Sequence, residues 1–154
     1  MIKVNVLSEE NSWSKKIKKK ELFFNKICNK FPKKYRFVNK KIYLTLLLSN
    51  NKEIKILNKK FRNKNKHTDV LSFPFNKKQK LKENYLGDII ISFNYMNKPK
   101  NLDNYEFKIK TIKIFIHGFL HLLGHDHQKN KEYKQMLNEE KKIFKSLEKT
   151  SILN

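Results

Sequence analysis

Alanine is absent from this 154-residue chain, glycine and proline occur three times each, arginine twice and cysteine once. The lone Cys28 excludes an internal disulfide, fits a reducing compartment and leaves no disulfide-linked partner to expect. No run of 18 apolar residues is present, which excludes a membrane-spanning helix, and the opening residues lack the pattern of a secretory signal. A cytoplasmic, soluble protein with no membrane partner is expected. Hydrophobic residues are also scarce, at 38% where about 45–50% is usual. The core must therefore be economical, built from twelve Phe, six Tyr and many Ile and Leu. A chain of this length makes one domain, spanning 1–154, and buries roughly 68–70% of its unfolded surface without metal or disulfide staples.

Acidic residues are few, 14 against 36 Lys and Arg, for a net charge of +22. A field of that size attracts nucleic acid, ribosomes or anionic membrane surfaces. Yet 34 of the 36 cations are lysine and asparagine occurs 19 times, as a preference for A/T-rich codons would also produce. Charge alone does not assign a function.

Alternation over Ile2–Val6 reads as a half-buried strand. Trp13, Ile17, Phe24, Ile27, Cys28 and Phe31 fall on one helical face, with Pro32 as the stop. Ile42–Leu48 reads as a buried strand. Asn50 and Glu53 resemble a capping box that opens a short helix with Ile54, Leu57 and Phe61 inward. Val70–Phe75 is a further strand, confined by Pro74 to an edge or a strand end. A lysine-rich surface loop from Asn76 to Asn84 leads to a β-branched strand over Ile89–Phe93. A mostly apolar helix over 106–123 and an amphipathic helix from Tyr133 to Leu147 complete the order β-α-β-α-β-β-α-α. The expectation is an α+β fold, a single mixed sheet of about four strands packed against helices.

Four of the five histidines lie within eleven residues, His117-Gly-Phe-Leu-His121-Leu-Leu-Gly124-His125-Asp126-His127. His117 and His121, at i and i+4, share one helix face and continue a polar stripe through Lys110 and Lys113. Gly124 can leave helical geometry, so the chain can fold back and bring His127 to the other two rings. Three imidazoles from a helix and the following turn suit tetrahedral zinc with one open position. The spacing matches the H-E-x-x-H-x-x-G-x-x-H pattern of metzincin proteases, except that Gly118 replaces the glutamate base, which argues against proteolysis. His125 points away if His127 points in. Asp126 either orients a ligand ring or caps the turn after Gly124.

The cluster closely resembles the H-G-x-L-H-L-x-G-[YH]-D-H motif of the YbeY family of metal-dependent endoribonucleases. Two further blocks are similar: Leu57-Asn58, Arg62 and Thr68-Asp69-Val70-Leu71-Ser72-Phe73-Pro74, then Leu86-Gly87-Asp88-Ile89-Ile90-Ile91-Ser92. The resemblance covers about residues 40 to 150; the first forty match in general character only. Phe61 stands where the family often has Tyr, and His67 where Pro or a small residue is common. The resemblance implies a single-strand-specific endoribonuclease that matures the 3′ end of 16S rRNA and acts in late-stage 70S ribosome quality control. It also implies one zinc per chain on His117, His121 and His127, with single-stranded RNA, the 16S rRNA precursor and the ribosome (30S/70S) as partners.

RNA cleavage needs an activated nucleophile, charge stabilisation at phosphorus and help for the leaving oxygen. A zinc ion with an open position lowers its bound water to a pKa of about 7 and polarises a phosphoryl oxygen. Candidate catalytic residues are Arg62, as the phosphate and substrate contact, and the metal ligand His117. A guanidinium forks onto two phosphate oxygens as lysine cannot, and arginine is a compositional exception here. The alternative is a structural Arg62 paired with Asp69. A non-catalytic RNA-binding factor with a closed structural zinc also stands open; it needs a fourth protein ligand, which neither Cys28 nor His67 is placed to supply.

Overall fold

Four apolar runs form the sheet, and their burial decides their order. The computed structural model describes residues 1–75 and 84–153; most of the expected 76–84 loop lies outside the described residues. Strands β1 (Ile2–Ser8), β2 (Ile42–Ser49), β3 (Val70–Pro74) and β4 (Tyr85–Ser92) lie in the order β1-β2-β4-β3. The pairs β1–β2 and β2–β4 are parallel, with Val4 beside Leu44 and Leu46 beside Ile89. The edge strand β3 runs antiparallel to β4, with Leu71 beside Ile90 and Pro74 beside Gly87. A mixed sheet with the most continuous apolar runs at its centre is what burial on both faces requires.

One face carries the main core. Ile2, Val4, Leu44, Leu46, Leu48, Ile89 and Ile91 meet side chains of α2 (Lys20–Cys28), α6 (Asn104–Leu122) and α7 (Asn130–Glu148). The other face carries a small core in which Ile54 of α4 (Asn51–Arg62) meets Leu71 and Ile90. Asn50 caps α4 as expected, its side chain accepting from the Glu53 N–H at 2.9 Å.

The expected helix through Trp13 and Phe31 is instead two, α1 (Ser12–Lys16) and α2, with Phe31 beyond the end of α2 and a further short helix, α3 (Lys33–Arg36), after it. Ile17 is extended and Lys19 is left-handed at φ 45°, which breaks the axis. Trp13, Ile17, Phe24 and Ile27 are nevertheless all fully buried. Pro32 precedes α3 as its cap and does not end α2, which stops at Cys28. Phe61, expected inward, is 59% exposed and leans on Phe73 at 5.4 Å. It sits in the last turn of α4, against the edge strand. Phe93 opens the short helix α5 (Phe93–Met96) rather than continuing a strand. Helix α6 starts at Asn104, two residues before the expected 106, because Asp103 and Glu106 form a reciprocal capping box. A 3-10 turn over Ser151–Leu153 ends the description. Among the described residues no helix is long and apolar enough to cross a membrane.

Candidate metal centre

Helix α6 lies close against the sheet at Gly118. A Cβ there would stand 2.9 Å from Ile89 Cγ2 and 3.0 Å from Ser72 Oγ, and Ser72 Oγ donates to the Gly118 carbonyl at 3.1 Å. The missing side chain lets the helix lie against β3 and β4, which sets His117 and His121 beside the edge strand. It also explains why no glutamate follows the first histidine: the position faces the sheet and has no room for one.

The helix ends through a left-handed glycine. Gly124 has φ +96°, its N–H bonds the His121 carbonyl at 3.0 Å, and the His125 N–H bonds the Leu120 carbonyl at 3.0 Å. This is the Schellman arrangement, which satisfies terminal carbonyls and reverses the chain. The reversal brings the His125 carbonyl to 2.9 Å from His121 Nδ1. It also brings His127 over the helix.

The three rings converge. His117 and His121 centroids are 4.7 Å apart, His121 and His127 5.0 Å, and His117 and His127 5.5 Å. One donor atom from each lies within 4.8 Å of the others, and this is the one such group of three found among the described residues. His117 and His121 are half-buried and His127 is exposed. Burial, then the neighbouring His117, lowers the pKa of His121 and favours its neutral, ligating form.

The donors fit a metal ion. His121 Nδ1 donates to a carbonyl, and His117 Nδ1 lies 2.6 Å from Glu140 Oε1 on α7. The carbonyl requires His121 to carry its proton on Nδ1, and an ionised Glu140 asks the same of His117, an arrangement that leaves both Nε2 lone pairs for a metal. Those two atoms face each other at 3.1 Å, close to the separation of about 3.3 Å for nitrogens sharing a tetrahedral zinc. Two lone pairs at that distance repel unless a cation lies between them. Among the described residues no fourth donor joins: Cys28 is 1% exposed in the core, its thiol pushed up by burial, and His67 Nδ1 bonds the Tyr95 hydroxyl at 2.8 Å.

The imidazoles line a cleft of about 840 Å³ together with Arg62, Asp69 and Ser72. On either side of β3 the backbones of Asp69 and Phe75 bond β4, at 2.9 Å each. Alternation along an antiparallel strand then turns Ser72 to the free edge. There the Ser72 carbonyl accepts from Arg62 Nη2 at 2.9 Å, and the guanidinium lies 5.5 Å from the centroid of Phe73. Asp69 instead accepts from Thr68 Oγ1 at 3.1 Å and the Val70 N–H at 2.8 Å. The alternative Arg62–Asp69 pair is not among the ion pairs of the described residues. Asp126 caps the turn, its Oδ1 accepting from the His127 N–H at 2.7 Å.

The family model described as Endoribonuclease YbeY matches residues 6–148. The chain belongs to the YbeY endoribonuclease family. The match begins at residue 6, so it also takes in most of the first forty residues, where the motifs showed only general likeness. The Endoribonuclease YbeY of Pelagibacter ubique (strain HTCC1062) is 66% identical over 146 residues, 94% of this chain and 95% of that protein. The Endoribonuclease YbeY of Buchnera aphidicola subsp. Acyrthosiphon pisum is 42% identical over 128 residues, 83% of this chain and 81% of that one. The solution structure of TM1509 from Thermotoga maritima is similar at TM-score 0.55 and 27% identity, over 95% of this chain and 88% of that one. The α+β fold and the placing of the histidine cluster on a helix and the segment after it accord with membership of this metal-dependent family.

Glu140 was invisible to motif reasoning. It lies thirteen residues past His127 on a different helix, and glutamate on a lysine-rich amphipathic helix carries no signal by itself. Its i+4 neighbour Phe144 and the packing of Ile143 against the core set the face that α7 turns to α6, which is the one clue available.

Proposed function

We propose that this YbeY-family chain is a single-strand-specific, zinc-dependent endoribonuclease. It would mature the 3′ end of the 16S rRNA precursor and act on the ribosome (30S/70S) in late-stage quality control. Residues 1–154 would work as one cytoplasmic domain with one zinc per chain on His117, His121 and His127. The observation that carries this reading is the cleft itself, which three converging imidazoles from α6 and its following turn line together with one guanidinium held at the edge of β3. When bound, the metal supplies a Lewis acid for the phosphate and a water acidified to a pKa of about 7.

The chain's own groups do the positioning. Arg62 uses one N–H on the Ser72 carbonyl, and a guanidinium has five, so a free edge remains for two phosphate oxygens. The Ser72 bond and the Phe73 ring hold that fork at the cleft wall before RNA arrives, which lowers the ordering cost of binding. Asp126 shapes the turn that presents His127.

The test is metal analysis of the purified protein with cleavage of a single-stranded 16S 3′-end precursor, and casein as a control. Zinc near one per chain, cut RNA and intact casein are expected. Zinc-loaded protein that leaves the RNA intact, or that cuts casein, overturns the reading.

A further inference from the structure

We propose that Glu140 is a positioning residue for the metal centre: its carboxylate fixes the tautomer and tilt of His117 and so sets how tightly the cleft holds zinc. The proposal rests on the three-histidine reading above and adds to it a residue outside the histidine segment. His117 Nδ1 and Glu140 Oε1 are 2.6 Å apart, with side chains 28% and 24% exposed. A short contact between half-buried partners is a strong, charge-assisted hydrogen bond, less screened than a surface pair. An ionised carboxylate can only accept, so it holds the ring proton on Nδ1 and leaves the Nε2 lone pair facing His121 Nε2 at 3.1 Å. Without it, the ring is free to place its proton on Nε2, where it blocks ligation.

The two helix ligands are braced by different chemistry. His121 is held by a backbone carbonyl, from the turn its own helix makes. His117 is held by a charged side chain from α7, whose Met136, Ile143 and Leu147 are buried. A carboxylate raises the basicity of the imidazole it holds more than a carbonyl does, and loss of such partners costs about 10–100-fold in metal affinity. An interhelical tie with no bearing on the metal would act on stability alone.

The experiment compares full-length wild type, Glu140→Gln and Glu140→Ala. Zinc affinity is measured by competition with a chromophoric chelator, the His117 tautomer by long-range ¹⁵N–¹H correlation on metal-free protein, and melting by circular dichroism. Expected are a pure Nδ1–H tautomer for His117 in wild type, an Nε2–H fraction in both variants, and zinc binding about 10–100-fold weaker. Glu140→Gln preserves shape and helix packing, so it carries the test if Glu140→Ala folds poorly. Unchanged zinc affinity with an unchanged tautomer overturns the proposal, whatever the melting temperature does. Wild type that binds no zinc overturns the three-histidine reading itself, an outcome distinct from variants that bind it as well as wild type.

Discussion

Replacing Gly118 by alanine sets two effects of opposite sign against each other. Alanine in a helix interior is better than glycine by about 0.5–1 kcal/mol. Against that stands the added methyl, 2.9 Å from Ile89 Cγ2 and 3.0 Å from Ser72 Oγ. Neither neighbour yields easily. Ile89 is 0% exposed in β4, and β-branched side chains are stiff about χ1. Ser72 Oγ is held by its bond to the Gly118 carbonyl. Overpacking of this kind costs about 1–3 kcal/mol, so the net is a loss of up to about 2.5 kcal/mol. For a chain of this size about 1 kcal/mol moves Tm by 2–4 °C, which gives a fall of up to about 10 °C. Calorimetry on metal-free protein avoids confusing this with zinc stabilisation. A rise of 2 °C or more would refute the argument, because helix propensity would then have won and the helix–sheet contact would have room to spare.

Three further outcomes are expected. Arg62→Lys keeps the charge and loses the fork, so RNA should bind nearly as well and be cut about 10²–10³-fold more slowly, by analogy with loss of an oxyanion donor. Its zinc content should be unchanged and its Tm lower by only a few degrees, since one hydrogen bond of about 1.5–3 kcal/mol from a charged donor is weakened; early melting with normal cutting in the cold would remove Arg62 from the phosphate. The double variant His117→Ala with His121→Ala should lose its zinc, and full occupancy would sink the ligand assignment. Glu139 is held at about 2, from an ordinary 4.5, first by the Tyr35 hydroxyl and then by Lys142. A depressed folded pKa stabilises above the unfolded value and is lost as pH falls through the folded one. The Tm gap between wild type and Glu139→Gln should therefore be full near pH 6 and shrink from about pH 4.5 towards 2; a gap independent of pH would contradict this origin.

Local patterning made much of the centre legible. Histidines at +4 and +10 with a glycine between them state a helix, a left-handed stop and a return, and each step is a short-range effect. The sheet was readable for a similar reason, since Ile42–Leu48 and Ile89–Ile91 are too apolar to lie anywhere but inside. The break at Ile17–Lys19 was not, because Trp13, Ile17 and Phe24 keep helical spacing while three lysines between Ile17 and Glu21 carry no stop signal. Phe61 misled in the opposite way: its phase on α4 is inward, but β3 is the sheet's edge and little core lies beneath that last turn. Arg62 stood out as a compositional exception, yet its partner was a backbone carbonyl, to which sequence is blind. Glu140 depends on how two helices dock, a long-range outcome that no local motif encodes.

The separation of His127 from Glu140 in the chain has a consequence in time. A polypeptide is made from its N-terminus at about 5–20 residues per second, so the third imidazole leads the brace of the first by about one to three seconds of synthesis. Over that interval the three histidines are present in the chain and the residue proposed to brace the first is not, because Glu140 lies on α7, whose Met136, Ile143 and Leu147 are buried. On the proposal above, zinc affinity therefore depends on the docking of α7 as well as on the histidine segment itself.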